Sequence, residues 1–162
     1  MGFVIQVATS FIAISCFAVL FNAPVKLLPY CGVVGAVGWS VNNYLTQCGV
    51  DAVQGSFIGA FIVAIIAHLF ARKFKVPVLV FSVSGIISLV PGSTAYNAMR
   101  NMIEFNYIIG VEYAIRAMMI SGALAMGLIF AEVFMMLVLK SKQKGLTSMD
   151  SFAKLKRVRK EK

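Results

Sequence analysis

An apolar stretch of 19 residues, from Phe3 to Phe21, is the feature that most constrains how this chain can fold. A helix of that length rises about 28 Å, close to the ~30 Å thickness of the hydrocarbon core of a bilayer. Similar stretches recur, so that 60% of the 162 residues are hydrophobic and the mean hydropathy is +0.88. A water-soluble domain of this size could not bury so much apolar surface. The sequence therefore predicts an all-α integral membrane protein.

Turn-forming and charged residues divide the apolar sequence into five predicted spans, which together form a five-transmembrane-helix bundle. The spans are expected at about 3–21, 27–45, 53–71, 76–90 with a following half-helix at 93–105, and 112–139. They make up a membrane domain of residues 1–140, and a basic tail of residues 141–162 follows.

The distribution of basic residues predicts the orientation of these spans. If the tail is cytoplasmic, thirteen of the fifteen Lys and Arg residues lie on the inside, against one or two on the outside. Basic loops stay on the cytoplasmic side, so we expect an outside N-terminus and a multi-pass location in the cell (plasma or inner) membrane. The basic tail is expected to contact anionic lipid headgroups rather than nucleic acid.

The fourth span is interrupted by Pro91-Gly92 before it can cross the bilayer. A helix over residues 76–90 rises only about 22 Å. Proline removes a backbone donor and strains the helix, and glycine is expected to supply the backbone freedom that redirects the chain. Ser93 and Thr94 then offer hydroxyls suited to cap a new helix. In lipid a broken helix survives only where protein or water satisfies it, so the break points to a transport site.

The half-helix after the break is predicted to bind a carboxylate. If it begins at Ser93, the amides of Thr94, Ala95 and Tyr96 lack intrahelical partners and lie at the positive end of the helix dipole. Side chains farther along the half-helix add donors. The predicted substrate-binding residues are Pro91, Gly92, Ser93, Thr94, Tyr96, Asn97 and Arg100.

Asn97, Arg100, Asn101 and Glu104 recur at helical spacing and form one polar stripe. Such a helix either lines a wet cavity or lies flat in the membrane interface, and the pattern does not distinguish the two.

Several ionisable residues are candidates for proton or ion coupling. Glu112 and Arg116 are four residues apart in the order that favours a helical ion pair. Glu132 lies about two turns before Lys140, where it either snorkels or bonds locally; deeper in the bilayer it would cost ~2.5–3.5 kcal/mol. His68 is either a proton carrier or a residue at headgroup level. The candidates are Glu104, Glu112, Arg116 and Glu132, with His68 beside them.

Small residues at helical spacing predict two surfaces for close helix packing. They are Gly32, Gly35 and Gly38 in the second span, and Ala123, Gly127 and Ala131 in the fifth. The adjacent amides Asn42 and Asn43 end the second span; either both lie at the interface, or one faces the bundle interior.

Four segments carry a resemblance to a known family: residues 21–25 (FNAPV), 31–39 (CGVVGAVGW), 77–79 (PVL) and 89–96 (LVPGSTAY). They are similar to the small subunit of the two-component threonine/serine exporter (ThrE) superfamily, over most of the chain. The resemblance implies a five-span half that works with a larger five-span partner subunit. It also implies export of threonine and serine or, in relatives, of dicarboxylates such as succinate.

The sequence contains no nucleotide motif, metal-ligand cluster or nucleophile–base pair, so we predict no enzymatic activity, cofactor or metal. Two alternatives to an exporter subunit remain. One is a membrane scaffold or assembly subunit without its own solute site, in which the break only packs against a partner. The other is a membrane-embedded enzyme, which would need a convergent acid–base pair. Five helices can hardly enclose a solute path, so a partner subunit or homo-oligomerisation is expected.

Overall fold

The computed structural model describes the backbone of residues 2–158 and the side chains of residues 5–140. This part of the chain is helical and contains no strand, which confirms the predicted all-α class. A single 3-10 turn, Val25–Leu27, precedes the second helix. The α-helices are α1 (Gly2–Leu20), α2 (Leu28–Gln47), α3 (Ala52–Phe74), α4 (Leu79–Ile86), α5 (Gly92–Ile103) and α6 (Tyr107–Val158).

Two helices of the described chain are long and apolar enough to cross a membrane. They are α3 and the Tyr107–Lys140 part of α6, and α1 contributes a shorter apolar stretch, Ile5–Leu20. The prediction of five spans goes beyond this finding. The predicted 112–139 span lies within α6, which begins five residues earlier and continues through the basic tail to Val158.

Four helices end with the same local structure, in which one residue adopts a left-handed conformation. The N–H of the following residue donates to the carbonyl five positions earlier, at 2.9–3.1 Å, which satisfies a terminal carbonyl of the helix. The left-handed residues after α1, α2, α3 and α5 are Asn22, Gly49, Lys75 and Phe105. The short α4 ends differently, because a turn at residues 87–89 leads from it to the predicted break at Pro91.

Helix α4 lies at the centre of the first four helices and contacts α1, α2 and α3. Its Phe81 is fully buried in a core that also contains Val34 of α2 and Val63 of α3. Gly85 lets α4 approach closely, since a Cβ there would lie 2.8 Å from the side chains of both valines. The core therefore holds the end of α4 firmly against α2 and α3.

Helix α6 packs along α3, and α5 packs mainly on α6. The rings of Phe57 and Phe130 lie 6.0 Å apart, and those of Phe61 and Phe134 lie 6.1 Å apart. Residue numbers increase in the same direction on both helices, so α3 and α6 are parallel. Because its contacts are mainly with α3 and α5, helix α6 lies at the edge of the bundle.

The structure places the predicted packing residues at helix contacts inside the chain. Gly32 and Gly35 face Ser15 and Ile14 of α1, and Gly38 faces Val63 of α3. In α6, a Cβ on Gly127 would lie 2.6 Å from the carbonyl oxygen of Phe57. Ala131 is fully buried and Ala123 is half-buried.

Candidate functional site

The break between α4 and α5 is formed by a tight turn at Pro91. The N–H of Gly92 donates to the carbonyl of Val90 at 2.7 Å, and Pro91 has φ −76° and ψ 53°. These are the features of an inverse γ-turn, a conformation that the fixed φ of proline favours. The helical part of the fourth segment is shorter than the predicted 76–90, since α4 ends at Ile86.

The break lies near the middle of the bundle rather than at its end. A Cβ on Gly38 of α2 would lie 3.7 Å from Leu89, and one on Gly59 of α3 would lie 3.3 Å from it. Gly38 is close to the midpoint of α2, and Gly59 is about one turn from the midpoint of α3. Leu89 is also buried. Leu89 is two residues before Pro91, so the turn at Pro91 follows directly on a residue in the interior of the bundle.

Polar groups just after the end of α4 make hydrogen bonds to α4 and to α2. The hydroxyl of Ser88 donates to the carbonyl of Gly85 at 3.0 Å and approaches that of Gly35 at 3.3 Å. The N–H of Leu89 donates to the carbonyl of Ile86 at 2.7 Å. Unpaired backbone groups are costly in a dry interior, so these bonds allow the helix to end at this depth.

The predicted start of the half-helix was wrong by one residue, and the predicted capping by a Ser93 or Thr94 hydroxyl was also wrong. Helix α5 begins at Gly92 with Pro91 at the N-cap position, and no side chain caps it. The N–H of Ala95 is bonded to the carbonyl of Pro91 at 3.0 Å, so it is not free to bind a solute. Helix geometry instead leaves the amides of Ser93 and Thr94 without an acceptor inside α5. The amides without a helical acceptor at the start of α5 are thus those of Ser93 and Thr94, one residue earlier than predicted.

Gly92 does not supply the backbone freedom that the sequence suggested. The left-handed glycine of the described chain is Gly49, and Gly92 lies outside that conformation. Apart from its two chain neighbours and the nearby backbone of α5, no heavy atom of the described residues lies within 4 Å of the position of a Cβ on Gly92. A side chain here would project into open space beside the amides of Ser93 and Thr94, so the glycine keeps that space free.

Two amide side chains of α2 lie one helical turn from the Leu89 contact. Asn42 follows Gly38 by four residues, and its Oδ1 atom would lie 2.7 Å from a Cβ on Gly55. The Oδ1 of Asn42 and the Nδ2 of Asn43 are buried and have no hydrogen-bond partner within the described residues. An unpaired buried polar atom costs about 1–3 kcal/mol, which is a reason to suspect a functional role. The sequence showed the pair of amides but not which atoms are buried.

The polar stripe of α5 is divided between two environments. Asn97 and Asn101 are half-buried towards α6, and the side chain of Asn101 donates to the carbonyl of Asn97 at 2.8 Å. Arg100 and Glu104 are exposed and form an ion pair of 2.8 Å with each other. Arg100 lies eight residues beyond Gly92, about 12 Å along the helix, so it does not converge with the amides at the break. Tyr96 is exposed.

The sequence model of the family described as "Threonine/Serine exporter, ThrE" matches residues 6–134 of the chain. The chain belongs to this family. It is therefore a membrane protein of a family of transporters, as its resemblance to the superfamily indicated. The match includes the break and ends before the basic tail. No solved structure matches the chain.

The charged coupling candidates of this ThrE chain do not cluster at the break. The possible pair of Glu112 with Arg116 is not among the ion pairs of the described residues; instead, Nη2 of Arg116 lies 3.9 Å from Oδ1 of Asp51, the residue before α3. Packing of α6 on α3 brings these two distant residues together, which helical spacing alone could not indicate. Glu132 is exposed on α6, and Nδ1 of His68 lies 2.9 Å from the carbonyl of Ala64 within α3. No group of metal-ligating residues occurs among the described residues.

Proposed function

We propose that the chain is one subunit of an exporter for small solutes that carry a carboxylate: threonine, serine or a dicarboxylate such as succinate. It acts with a larger five-span partner subunit. In this proposal the chain crosses the membrane five times, with α1, α2, α3, the pair α4 and α5, and α6. The N-terminus is outside and the tail is cytoplasmic.

The observation that carries the proposal is the open space beside Gly92, at a helix break near mid-depth. The amides of Ser93 and Thr94 point out of the positive end of α5 towards this space. Helix N-termini bind anions, and a carboxylate is the group that threonine, serine and succinate share. The amides of Asn42 and Asn43, one turn from the break, offer further polar contacts for a bound solute.

The parallel arrangement of α3 and α6 supports the five-span topology. Two parallel helices cross the membrane in the same direction, so the chain between them must return once. The segment formed by α4 and α5 connects α3 to α6 and provides that return. Its eight and twelve residues together suffice for one crossing with a break.

The exposed surface of α5 supports a partner subunit. This helix contacts mainly α6 and leaves the apolar side chains of Tyr96, Met99 and Ile103 at least 64% exposed. One side of the space beside Gly92 is therefore not enclosed by this chain. A second subunit on that side would complete the solute path.

Two substitutions at one position test the proposal. Gly92→Leu is expected to fold, because the space is open, but to reduce efflux of labelled threonine, serine or succinate at least tenfold by filling it. Gly92→Ala is the matched control: it is compatible with the helical backbone and should stay within twofold of the parent chain. Efflux is measured from cells that express both subunits at matched levels. Normal efflux by Gly92→Leu would remove the site from the break and favour a scaffold role.

A further inference from the structure

Glu132 is a carboxylate on an exposed and mainly apolar face of α6. Its neighbours on this face are Met118, Ala125, Ile129 and Met136, all of them exposed. Within the part of the chain whose side chains the structure describes, Glu132 makes no hydrogen bond or ion pair. The chain itself therefore offers this charge no partner.

The packing of α6 on α3 gives the depth of Glu132. Gly127 lies against the turn from Phe57 to Phe61, and the ring of Phe134 lies 6.1 Å from that of Phe61 at a tilt of 57°. Because the two helices are parallel, Glu132 is level with residues 59–64 of α3. Helix α3 extends from Ala52 to Phe74, so this level is at or close to its centre.

Glu132 is too deep to reach the inner interface by snorkelling. Lys140 follows Glu132 by eight residues, about 12 Å of helix, and from the level of Glu132 to Phe74 there are ten to fifteen residues of α3, about 15–22 Å. A glutamate side chain covers less than one turn of that distance. A carboxylate at the centre of a span is costly against lipid and is normally paired inside a bundle.

A second copy of this chain cannot supply the missing cation. No Lys or Arg precedes Lys26, and none lies between Lys26 and Arg72, between Lys75 and Arg100, or between Arg116 and Lys140. Arg72 and Lys73 are in the last turn of α3, and Arg100 is in the last turn of α5. Arg116 lies beside Asp51, which precedes α3, and the residues from Lys140 onwards follow the last predicted span. His68 is six residues before the end of α3. A copy inserted in the same orientation therefore presents no positive charge at the level of Glu132.

We propose that the face of α6 around Glu132 binds a membrane-spanning helix of a different chain, which presents an arginine or lysine at that level. Met118, Ala125, Ile129 and Met136 supply the apolar contact on both sides of the ion pair. The small side chains of Ser121 and Ala125 allow the partner helix to approach closely. This inference rests on the proposed membrane embedding of α6 and not on the identity of the solute.

Photo-crosslinking in native membranes tests the contact. The full-length chain carries benzoylphenylalanine at Ile129, and a matched chain carries it at Ile12 of α1, since the two isoleucines are 56% and 60% exposed. The crosslinked peptides are identified by mass spectrometry. We expect the Ile129 adduct to map to a predicted span of another chain that has an arginine or lysine within one turn of the attachment point.

The dependence on charge distinguishes a specific pair from general proximity. Glu132→Gln should lower the yield of the Ile129 adduct at least tenfold without affecting the Ile12 adduct. The amount of the chain in the membrane should not fall, because the substitution removes an intramembrane charge. Glu112→Gln, an exposed carboxylate at the other end of α6, should leave both adducts unchanged. Exchange of the charges, Glu132→Arg with the partner's basic residue changed to Glu, should restore the yield.

Several outcomes would overturn the inference. They are an adduct with a second copy of this chain, adducts with lipid alone, a partner helix without a basic residue, or an adduct that Glu132→Gln leaves unchanged. Rapid reaction of Glu132→Cys with a water-soluble thiol reagent would instead assign this face to a water-filled path. Efflux by the Gly92 variants is measured separately, so the failure of either proposal is distinguishable from that of the other.

Discussion

Asn42 shows at the scale of a single residue how a cost in stability can indicate a function. Its Oδ1 atom is buried beside Gly55 without a hydrogen-bond partner among the described residues. Asn42→Leu preserves the branched shape and removes the unpaired acceptor, whose burial costs about 1–3 kcal/mol. We expect this variant to unfold at a higher temperature in detergent than the parent chain but to export solute at least fivefold more slowly.

Thr46→Ala is the control for this prediction. Thr46 is exposed one turn farther along α2, and its hydroxyl donates to the carbonyl of Asn42 at 2.9 Å. Its loss should change neither efflux nor thermal stability appreciably. A gain of stability in Asn42→Leu with undiminished efflux would show that the amide has no part in transport.

Residue types along the break indicated its position but not its conformation. Pro91 could be read as a break, because a proline lacks the N–H that a continuous helix needs. The predicted role of Gly92 failed, since a glycine permits a left-handed conformation without requiring one. The hydroxyl of Ser93 matched a capping pattern, yet Pro91 occupies the N-cap position. Such choices depend on the turn geometry around each residue, which composition does not determine.

At the scale of the elements, α3 and α6 are held together by a contact that one methyl group would disturb. A Cβ on Gly127 would lie 2.6 Å from the backbone carbonyl oxygen of Phe57, and backbone cannot rotate away as a side chain can. Gly127→Ala should therefore force the helices apart and destabilise the chain by about 1–3 kcal/mol. The expected readout is a lower unfolding temperature in detergent.

Gly122 provides the matched control on the same helix. Apart from its chain neighbours and the nearby backbone of α6, no heavy atom of the described residues lies within 4 Å of a Cβ built there. Gly122→Ala should therefore be neutral or stabilise the helix by up to ~1 kcal/mol. Equal unfolding temperatures for the two variants would contradict the observed α3–α6 contact.

Helix existence was easier to predict than helix ends or distant pairings. Long apolar runs identify α1, α3 and α6, because a helix at membrane depth must be apolar over its length. Lys75 and Phe105 end helices in left-handed conformations that neither residue type favours, so no sequence signal marks these ends. The Asp51–Arg116 pair joins residues that meet only after α6 packs on α3, and helical spacing cannot reveal it.

For the whole molecule, the parallel α3 and α6 lead to a prediction about which loops face outwards. If α3 and α6 both enter from the outside, the loop between α2 and α3 is outside and the tail after α6 is inside, as the basic residues also indicate. Cys48, exposed in that loop, is a native reporter. In a chain with Cys16→Ser and Cys31→Ser, we expect a membrane-impermeant maleimide to label Cys48 in intact cells.

The tail supplies the opposite reporter. A chain that lacks all three native cysteines and carries Ser148→Cys should react with the same reagent only after the cells are permeabilised. Nine of the fifteen Lys and Arg residues lie between Lys140 and Lys162, and we expect them to keep this end on the cytoplasmic side. The unsubstituted cysteine-free chain measures background. Labelling at Ser148→Cys in intact cells, with Cys48 protected, would invert the orientation. Labelling of both in intact cells would require an even number of crossings between the two positions. That result would contradict the proposed five-span topology, in which α3, the α4–α5 segment and α6 make three crossings.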